Sequence, residues 1–183
     1  IDAMYYGEPY RVRAFLVFGN NTLTTYANTN MVYKALMKLD FMVCADLFMT
    51  PTAELADIVL PAASWPELNQ ICALPTIAGN VVMSNQQTVR IGECRSDEEI
   101  FVELERRMKL PDCTDAVEDV LDQMLRNGKQ TVNFKGLTEQ GWIHAPQKYR
   151  KYETQGFKTP TGKLELYSTR FEKMGYAPLP YYE

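Results

Sequence analysis

Strand-like and helix-like segments alternate in the first third of this chain, and this alternation constrains the fold more strongly than any other feature. Residues 12–18, 41–45 and 57–61 are short apolar runs, the first of which is typical of a strand buried on both faces of a parallel sheet. Residues 31–39 carry apolar side chains at helical spacing, and residues 50–56 suit a short helix. Strands that alternate with helices need crossover connections. We therefore predict an α/β fold with a doubly wound, mostly parallel sheet (Rossmann-like) flanked by helices.

The regular spacing of apolar residues fades in two later parts of the chain. Residues 62–80 contain prolines and small residues without a period, which predicts a long loop, and residues 81–83 and 88–91 are candidate strands. The segment after Gly128 is rich in Tyr, Pro, Thr, Gly and Lys, and its one predicted strand covers residues 163–167. The predicted domains are residues 1–128, an α/β domain, and residues 129–183, an irregular C-terminal extension.

Two helices are predicted from their end signals. Ser96 and Glu99 stand at the spacing of a capping box, and an apolar stripe that begins at Ile100 follows them. Thr114 is expected to cap a second helix, which should end at Gly128 because glycine commonly follows the last helical residue.

Composition and charge exclude several classes of function. The 183 residues are 46% hydrophobic and 23% charged, which is ordinary for a globular domain. Lys and Arg number 19 against 23 Asp and Glu, a net charge of -4, so we expect no nucleic-acid partner. No apolar run approaches the roughly 20 residues of a membrane span. We expect a soluble chain, and its first and last residues suggest a piece of a larger protein.

The cysteines and the histidine give little support for a metal site or a nucleophilic active site. Cys44, Cys72, Cys94 and Cys113 include no C-x-x-C pair, so we interpret them as reduced thiols and predict no metal ligands. A cysteine nucleophile with a histidine base is disfavoured, because the single histidine, His144, lies in a loop that contains Trp and Pro.

A loop rich in asparagine and threonine, FGNNTLTTYANTN at residues 18–30, follows the first predicted strand. The carboxyl ends of strands are where open α/β sheets bind ligands. The loop lacks G-x-G-x-x-G, which disfavours an NAD site, whereas asparagine amides can both donate to and accept from a polar nucleotide. The alternative is that Asn20, Asn21 and Asn28 only make turns and caps.

Two acids strengthen the hypothesis of a nucleotide site. Asp46 directly follows the second predicted strand, where doubly wound folds often bind ribose hydroxyls, and Asp97 opens a helix. A carboxylate at Asp97 could accept two parallel hydrogen bonds from guanine, although an acid at this position also complements the helix dipole. The residues alone leave both interpretations open.

The string LDFMVCADLFMTPTAELADIVLPAASWPE, residues 39–67, resembles a signature stretch of the molybdopterin oxidoreductases, the dimethyl-sulfoxide-reductase-like family. GECRSDEEIFVELERRMKL at residues 92–110, FKTPTGKLELYS at residues 157–168 and the turn at residues 19–21 agree with it. The resemblance extends from about residue 12 to residue 181 and is loose over residues 112–150.

The resemblance implies that the chain is a central part of a larger enzyme and binds the guanosine arm of a bis(molybdopterin guanine dinucleotide) cofactor that carries molybdenum or tungsten. Residues 1–128 would be the cofactor-binding domain, and residues 129–183 would lead toward an absent C-terminal domain. It implies no catalytic residue and no metal ligand in this chain. The cofactor-binding residues it implies are Gly19, Asn20, Asn21, Ala45, Asp46, Thr50, Thr52 and Asp97.

The resemblance also implies partners, which are the remaining domains of the parent enzyme and an iron–sulfur electron-transfer subunit. An iron–sulfur cluster would lie in the absent N-terminal region, and the compartment would be the cytoplasm or periplasm of a prokaryote. Leu68 stands where the family often has a basic or polar cofactor contact. The substrate stays open among nitrogen oxides, formate, sulfur or arsenic oxyanions and a hydration reaction, and we expect no turnover by the chain alone.

Two alternatives belong to other classes. The chain could be a stand-alone α/β interaction or scaffold domain without catalysis, whose many tyrosines would suit a protein interface. It could also be an NAD-dependent oxidoreductase, which the missing glycines and the lack of an acid or base beyond His144 disfavour.

Overall fold

The computed structural model describes residues 1–76, 79–111, 113–144 and 149–181, and it leaves the side chains of residues 74–76, 79 and 80 undescribed. The chain forms two compact units. Residues 1–76 and 80–144 form the first unit, and the described residues 149–181 belong to the second. Within the described ranges, no helix is long and apolar enough to cross a membrane. The domain boundary after residue 128 stays a prediction.

Three parallel strands form the main sheet of the first unit, in the order β1, β2, β3. They span Ala14–Phe18, Phe41–Asp46 and Ile58–Pro61. Val17 lies opposite Cys44, which lies opposite Val59, so the three strands end at one edge of the sheet. The predicted α/β class with a parallel sheet flanked by helices is confirmed.

Helical segments connect these strands. After α1 (Asp2–Tyr6), the short helix α2 (Thr22–Thr25) and the longer α3 (Thr29–Leu36) lie between β1 and β2. Asn28 caps α3 with φ near +60°, and its side chain accepts a hydrogen bond from the Met31 N–H at 3.3 Å. Asparagine tolerates this left-handed conformation better than most residues do, which agrees with the predicted cap.

A second three-stranded sheet consists of β4 (Gln70–Thr76), β5 (Gly79–Asn85) and β6 (Trp142–His144), in that order. The prediction of a long loop over residues 62–80 is therefore wrong from Gln70 onward. The strand predicted at residues 88–91 is also wrong. The N–H groups of Thr88 and Val89 donate to the Pro66 carbonyl and not to a neighbouring strand.

Three helices complete the first unit: α4 (Asp97–Met108), α5 (Val117–Asn127) and α6 (Phe134–Gln140). The predicted capping box at Ser96 and Glu99 and the predicted end of α5 at Gly128 are confirmed. Thr114 is not the cap of α5, since Ala116 occupies that position without a side-chain hydrogen bond. Leu121 and Leu137 pack from α5 and α6 against Ile71 and Val82 of the second sheet.

The two faces of the main sheet are covered unequally. Val17, Met42 and Cys44 are buried against α3 in the main core. On the opposite face, Leu16 and Ile58 are 43% and 45% exposed, so the expectation that β1 is buried on both faces is wrong. Along a strand, alternate side chains point to opposite faces, and α3 packs on only one of them.

The second unit contains two short helices, α7 (Lys151–Gln155) and α8 (Thr169–Lys173). The strand predicted at residues 163–167 is absent from the described chain. The Lys163 carbonyl accepts a hydrogen bond from the Thr159 hydroxyl at 2.6 Å, so this segment is organised as a turn rather than as part of a sheet.

Candidate functional site

The main sheet ends on a cleft of about 430 Å³, which we call the edge cleft. Phe18, Asp46 and Pro61 are the last residues of the three strands, and the loops that follow them supply most of its lining. The lining residues are Gly19, Asn20, Asn21, Ala45, Asp46, Leu47, Thr50, Ala62, Ala63, Leu68, Gln70, Asp97 and Glu98. A cleft of this size falls within the range of small-ligand sites.

Gly19 begins the first loop in the left-handed conformation, with φ near +57°. A side chain is strained in this conformation, and a Cβ built at Gly19 meets nothing within 4 Å. Because no side chain covers the backbone at this turn, another molecule can approach it closely. Gly19 therefore serves the turn and leaves space at the cleft wall.

Asn21 lies at the N-cap position of α2, yet its side chain makes no capping hydrogen bond. Its Oδ1 accepts instead from the Thr52 hydroxyl at 2.6 Å. Thr52 is wholly buried and also accepts a hydrogen bond from the Leu23 N–H at 2.9 Å. The interpretation of Asn21 as a simple side-chain cap does not hold.

Asp46 organises the second loop. Its Oδ1 accepts from the Leu47 N–H at 2.7 Å, and its Oδ2 accepts from the Thr50 hydroxyl at 3.0 Å. The side chain thus acts as a turn acid, and it lines the edge cleft as well. Carboxylate oxygens accept more than one hydrogen bond each, so these contacts leave capacity for a ligand.

Asp97 reaches the edge cleft because the chain before α4 joins the sheet. The Arg95 N–H donates to the Pro61 carbonyl at 3.1 Å, and the Ala63 N–H donates to the Arg95 carbonyl at 2.8 Å. Ser96 then caps the helix, with its hydroxyl accepting from the Glu99 N–H. The backbone pairing and the cap together place Asp97 beside the loops that follow the strands.

The carboxylate of Asp97 accepts no hydrogen bond from any residue that the structure describes. Desolvation, and secondarily the charge of Glu98, raises the pKa of Asp97 above its ordinary value of 3.8. An ionised carboxylate in this setting gains most from a ligand that supplies hydrogen-bond donors. Asp97 is therefore the acid of the edge cleft that is best placed to bind one.

The charged side chains among the described lining residues of the edge cleft are all acidic. Asp46, Asp97 and Glu98 line it, and no Lys or Arg occurs among its described lining residues. Such a surface repels phosphate groups and favours the donor-bearing parts of a ligand, such as hydroxyls and amines. Within the described ranges, no group of three His, Cys, Asp or Glu residues could hold a metal ion.

Seven of the eight predicted site residues line this one cleft, and Thr52, the eighth, lies beneath Asn21. The lining residues missed by the sequence interpretation are Leu47, Ala62, Ala63, Gln70 and Glu98, while Leu68, which also lines the cleft, was noted there only as the position of a family cofactor contact. Ala62 and Ala63 follow β3 at the same sheet edge, so the rule that led to Asp46 would have found them. Gln70 was missed because its segment was interpreted as a loop.

Comparisons with known proteins provide independent information. A family model described as molybdopterin oxidoreductase matches residues 7–107. The chain is 37% identical over 185 aligned residues to acetylene hydratase of Syntrophotalea acetylenica, with 98% of this chain and 25% of that protein covered. It is 28% identical to a dimethyl sulfoxide/trimethylamine N-oxide reductase of Rhodobacter capsulatus, with 88% of this chain and 22% of that protein covered.

A solved structure is similar as well. Acetylene hydratase from Pelobacter acetylenicus matches with a TM-score of 0.74 and 36% sequence identity, over 99% of this chain and 25% of that one. The chain therefore spans about a quarter of the length of the relatives that it matches.

Proposed function

The chain belongs to the molybdopterin oxidoreductase family, and from this premise we propose that its edge cleft binds the guanosine arm of a molybdopterin guanine dinucleotide cofactor. The observation that carries the proposal is the convergence of Asn21, Asp46 and Asp97 on one cleft from three separate segments of the chain. A family match by itself would leave the position of the nucleotide undecided.

The residues of the edge cleft fit a nucleoside. Gly19 leaves open space at the wall, and Ala45, Ala62 and Ala63 are small enough to let a flat base lie close to the backbone. Ribose hydroxyls match the acceptors of Asp46. The absence of Lys and Arg from the described lining indicates that the cleft holds the nucleoside and leaves the phosphates to other parts of the protein.

Guanine is the base that suits Asp97. Its N1–H and its exocyclic amine are adjacent donors that a carboxylate accepts in parallel, whereas adenine presents an acceptor at N1. The Asp97 carboxylate, which accepts no hydrogen bond from the residues that the structure describes, supplies the complementary pair of oxygens. Selectivity for guanine over adenine follows from this difference in donor pattern.

The cofactor supplies redox or related chemistry at molybdenum or tungsten when it is bound. This chain would hold the cofactor in place. Asp97 and Asp46 would bind the nucleoside, and Asn21 would add a neutral polar contact. We propose that the rest of the parent enzyme holds the metal, and that an iron–sulfur cluster and an electron-transfer subunit belong to that remainder. The relatives are named as a hydratase and a reductase, so the proposal leaves the substrate open.

Nucleotide titration tests this proposal. The purified chain is titrated by calorimetry with guanosine and GMP against AMP and NAD, after its fold is verified by circular dichroism. We expect guanine-selective binding that Asp97→Asn weakens by about tenfold or more, since a charge-assisted pair contributes roughly 1.5–3 kcal/mol. Affinity should also fall as the pH is lowered through the raised pKa of Asp97, because only the ionised carboxylate accepts both hydrogen bonds.

Asp119→Asn is the matched control, because Asp119 also lies in the first turn of a helix, α5, but outside the edge cleft. It should leave affinity and selectivity unchanged. Equal binding of GMP and AMP by a folded chain, or equal loss in both variants, would contradict the proposal and favour a domain that contacts only protein.

A further inference from the structure

The N-terminus of α2 has an unusual cap. In most helices, the side chain at the N-cap position accepts a hydrogen bond from an N–H two or three residues later. Here Asn21 holds that position, but the Leu23 N–H donates to the hydroxyl of Thr52, 29 positions away in sequence. A residue from another loop thus replaces the local cap and leaves the Asn21 side chain for a different task.

The Thr52 hydroxyl has one proton, and its surroundings determine where that proton goes. Its oxygen accepts the Leu23 N–H, so the proton is directed to its other partner, the carboxamide of Asn21, at 2.6 Å. That distance is typical of an O–H···O bond and short for an N–H···O bond. The atom of Asn21 that faces Thr52 is therefore its carbonyl oxygen.

The orientation of the Asn21 carboxamide follows from this contact. With Oδ1 turned to Thr52, Nδ2 points away, and no residue in the described part of the chain accepts a hydrogen bond from it. Asn21 lines the edge cleft, and the acidic residues Asp46, Asp97 and Glu98 are also among its lining residues. An Asn21 amide nitrogen turned to the cleft would add a donor beside these three carboxylates, which only accept hydrogen bonds when ionised.

We propose that Thr52 is a positioning residue, which orients Asn21 so that its amide NH₂ donates to an oxygen acceptor of the nucleotide in the edge cleft. The proposal rests on the proposed function. Thr52 is 0% exposed, so its hydroxyl does not touch the ligand and acts through Asn21. Without Thr52, the Asn21 carboxamide is free to rotate and can present its carbonyl oxygen to the same acceptor, which repels it.

Two substitutions separate the hydroxyl from the shape of Thr52. Thr52→Val keeps the shape and removes the hydroxyl, whereas Thr52→Ser keeps the hydroxyl and loses only a methyl group. We expect GMP affinity to fall about five- to tenfold in Thr52→Val, the effect of about one hydrogen bond, and to stay near the original value in Thr52→Ser. Affinity is measured by calorimetry on chains whose fold circular dichroism has verified.

A double-mutant cycle distinguishes positioning from general support of the structure. If Thr52 acts through Asn21, then Thr52→Val has no further effect on GMP affinity once Asn21→Ala is present. If Thr52 only stabilises the fold, the two losses add. Additive losses in folded variants would overturn the proposal, as would wild-type affinity in Thr52→Val.

A measurement without ligand separates this proposal from the proposed function. The side-chain NH₂ resonances of Asn21, assigned by their disappearance in Asn21→Ala, should shift in Thr52→Val and stay in place in Thr52→Ser. If these shifts occur but no nucleotide binds, the orientation of Asn21 stands and the proposed function fails. If Thr52→Val does not fold, Thr52→Ser decides: displaced Asn21 resonances or lost GMP affinity in that variant would overturn the proposal.

Discussion

At the scale of single residues, Glu67 stabilises the segment that leads from β3 to α4. Its carboxylate accepts hydrogen bonds from the N–H and hydroxyl of Ser64, from the Ile91 N–H at 3.0 Å and from the Cys94 thiol at 3.1 Å. These donors favour the charged form, and Ser64 contributes most, so the pKa of Glu67 falls from 4.5 to about 2. The hydrogen bond to Glu67, together with burial, raises the pKa of Cys94, so that Cys94 stays a protonated thiol.

Glu67→Gln should destabilise the chain at neutral pH. The native pKa of Glu67 lies below its unfolded value, so its contribution to stability is full above about pH 4.5 and is lost as the pH falls toward about 2. A glutamine amide would also place N–H groups against the Ser64 donors. We expect a melting temperature several degrees lower at pH 7, with the difference shrinking between pH 4.5 and 2, measured by thermal denaturation.

The exposed Glu54 supplies the control for this prediction. Glu54→Gln removes the same charge without the buried contacts and should leave the melting temperature nearly unchanged. A Glu67→Gln variant whose melting temperature differs from wild type by the same amount at every pH from 7 to 2 would show that the carboxylate charge contributes nothing.

At the scale of secondary-structure elements, the start of α4 connects the sheet to the edge cleft. The Ser96 hydroxyl accepts from the Glu99 N–H at 3.1 Å, and the Ser96 N–H donates to the Glu99 carboxylate at 2.7 Å. Arg90 holds the same carboxylate at 2.8 Å. Because Asp97 is the first residue of this helix, these contacts determine where its carboxylate lies.

Ser96→Ala should lower the free energy of unfolding by about 1 kcal/mol, the usual cost of losing a cap. The first-turn N–H of Glu99 loses its acceptor, so its hydrogen exchange should become faster than that of later α4 amides. Chemical denaturation and amide exchange measure the two effects.

Ser168 caps α8 in the second unit by accepting from the Phe171 N–H at 3.2 Å, and Ser168→Ala is the matched control. It should leave exchange at Glu99 unchanged. Unaltered exchange at Glu99 in Ser96→Ala would mean that the Arg90 and Glu99 contacts alone hold the helix start.

At the scale of the whole molecule, the relatives are about four times as long as this chain, so the chain matches only one part of each of them. We propose that the edge cleft holds the nucleoside, whereas the reactive metal of this family belongs to the cofactor. A cofactor of this kind reacts only when its metal end and the substrate are also held in place.

The purified chain should therefore show no reduction, oxidation or hydration above a protein-free background, even with the isolated cofactor added. Dye-linked reduction and substrate consumption measure this, with a full-length reductase relative as the positive control. Turnover by the chain alone, abolished by heat and absent from a mock purification, would show that it carries catalytic groups of its own.

Much of the fold could be predicted from the sequence because its signals are local. The apolar runs of β1, β2 and β3, the capping box at Ser96 and the stop at Gly128 each depend on residues within one turn or one strand of each other. Their physical cause is the burial period of a strand or the unpaired N–H groups at a helix end. The parallel order then followed from the alternation of strands with helices.

The predictions that were wrong concern segments whose structure depends on residues distant in sequence. β4 belongs to a sheet with β5 and β6 and packs through Ile71 against helices α5 and α6, which lie far along the chain, so its segment has no local period. The candidate strand at residues 88–91 failed because Pro66 and Glu67 take up its N–H groups. Such partners are set by tertiary contacts.

The sequence by itself determined the α/β class, the family and the residue types available at the sheet edge. Only the tertiary structure decided that Asp97 joins this edge through the pairing of Arg95 with Pro61 and Ala63. It alone decided that Thr52 replaces the local cap and turns Asn21 toward the edge cleft. The physical reason is range: helix and strand patterns depend on near neighbours, whereas the direction of a carboxylate or an amide depends on groups that only folding brings together.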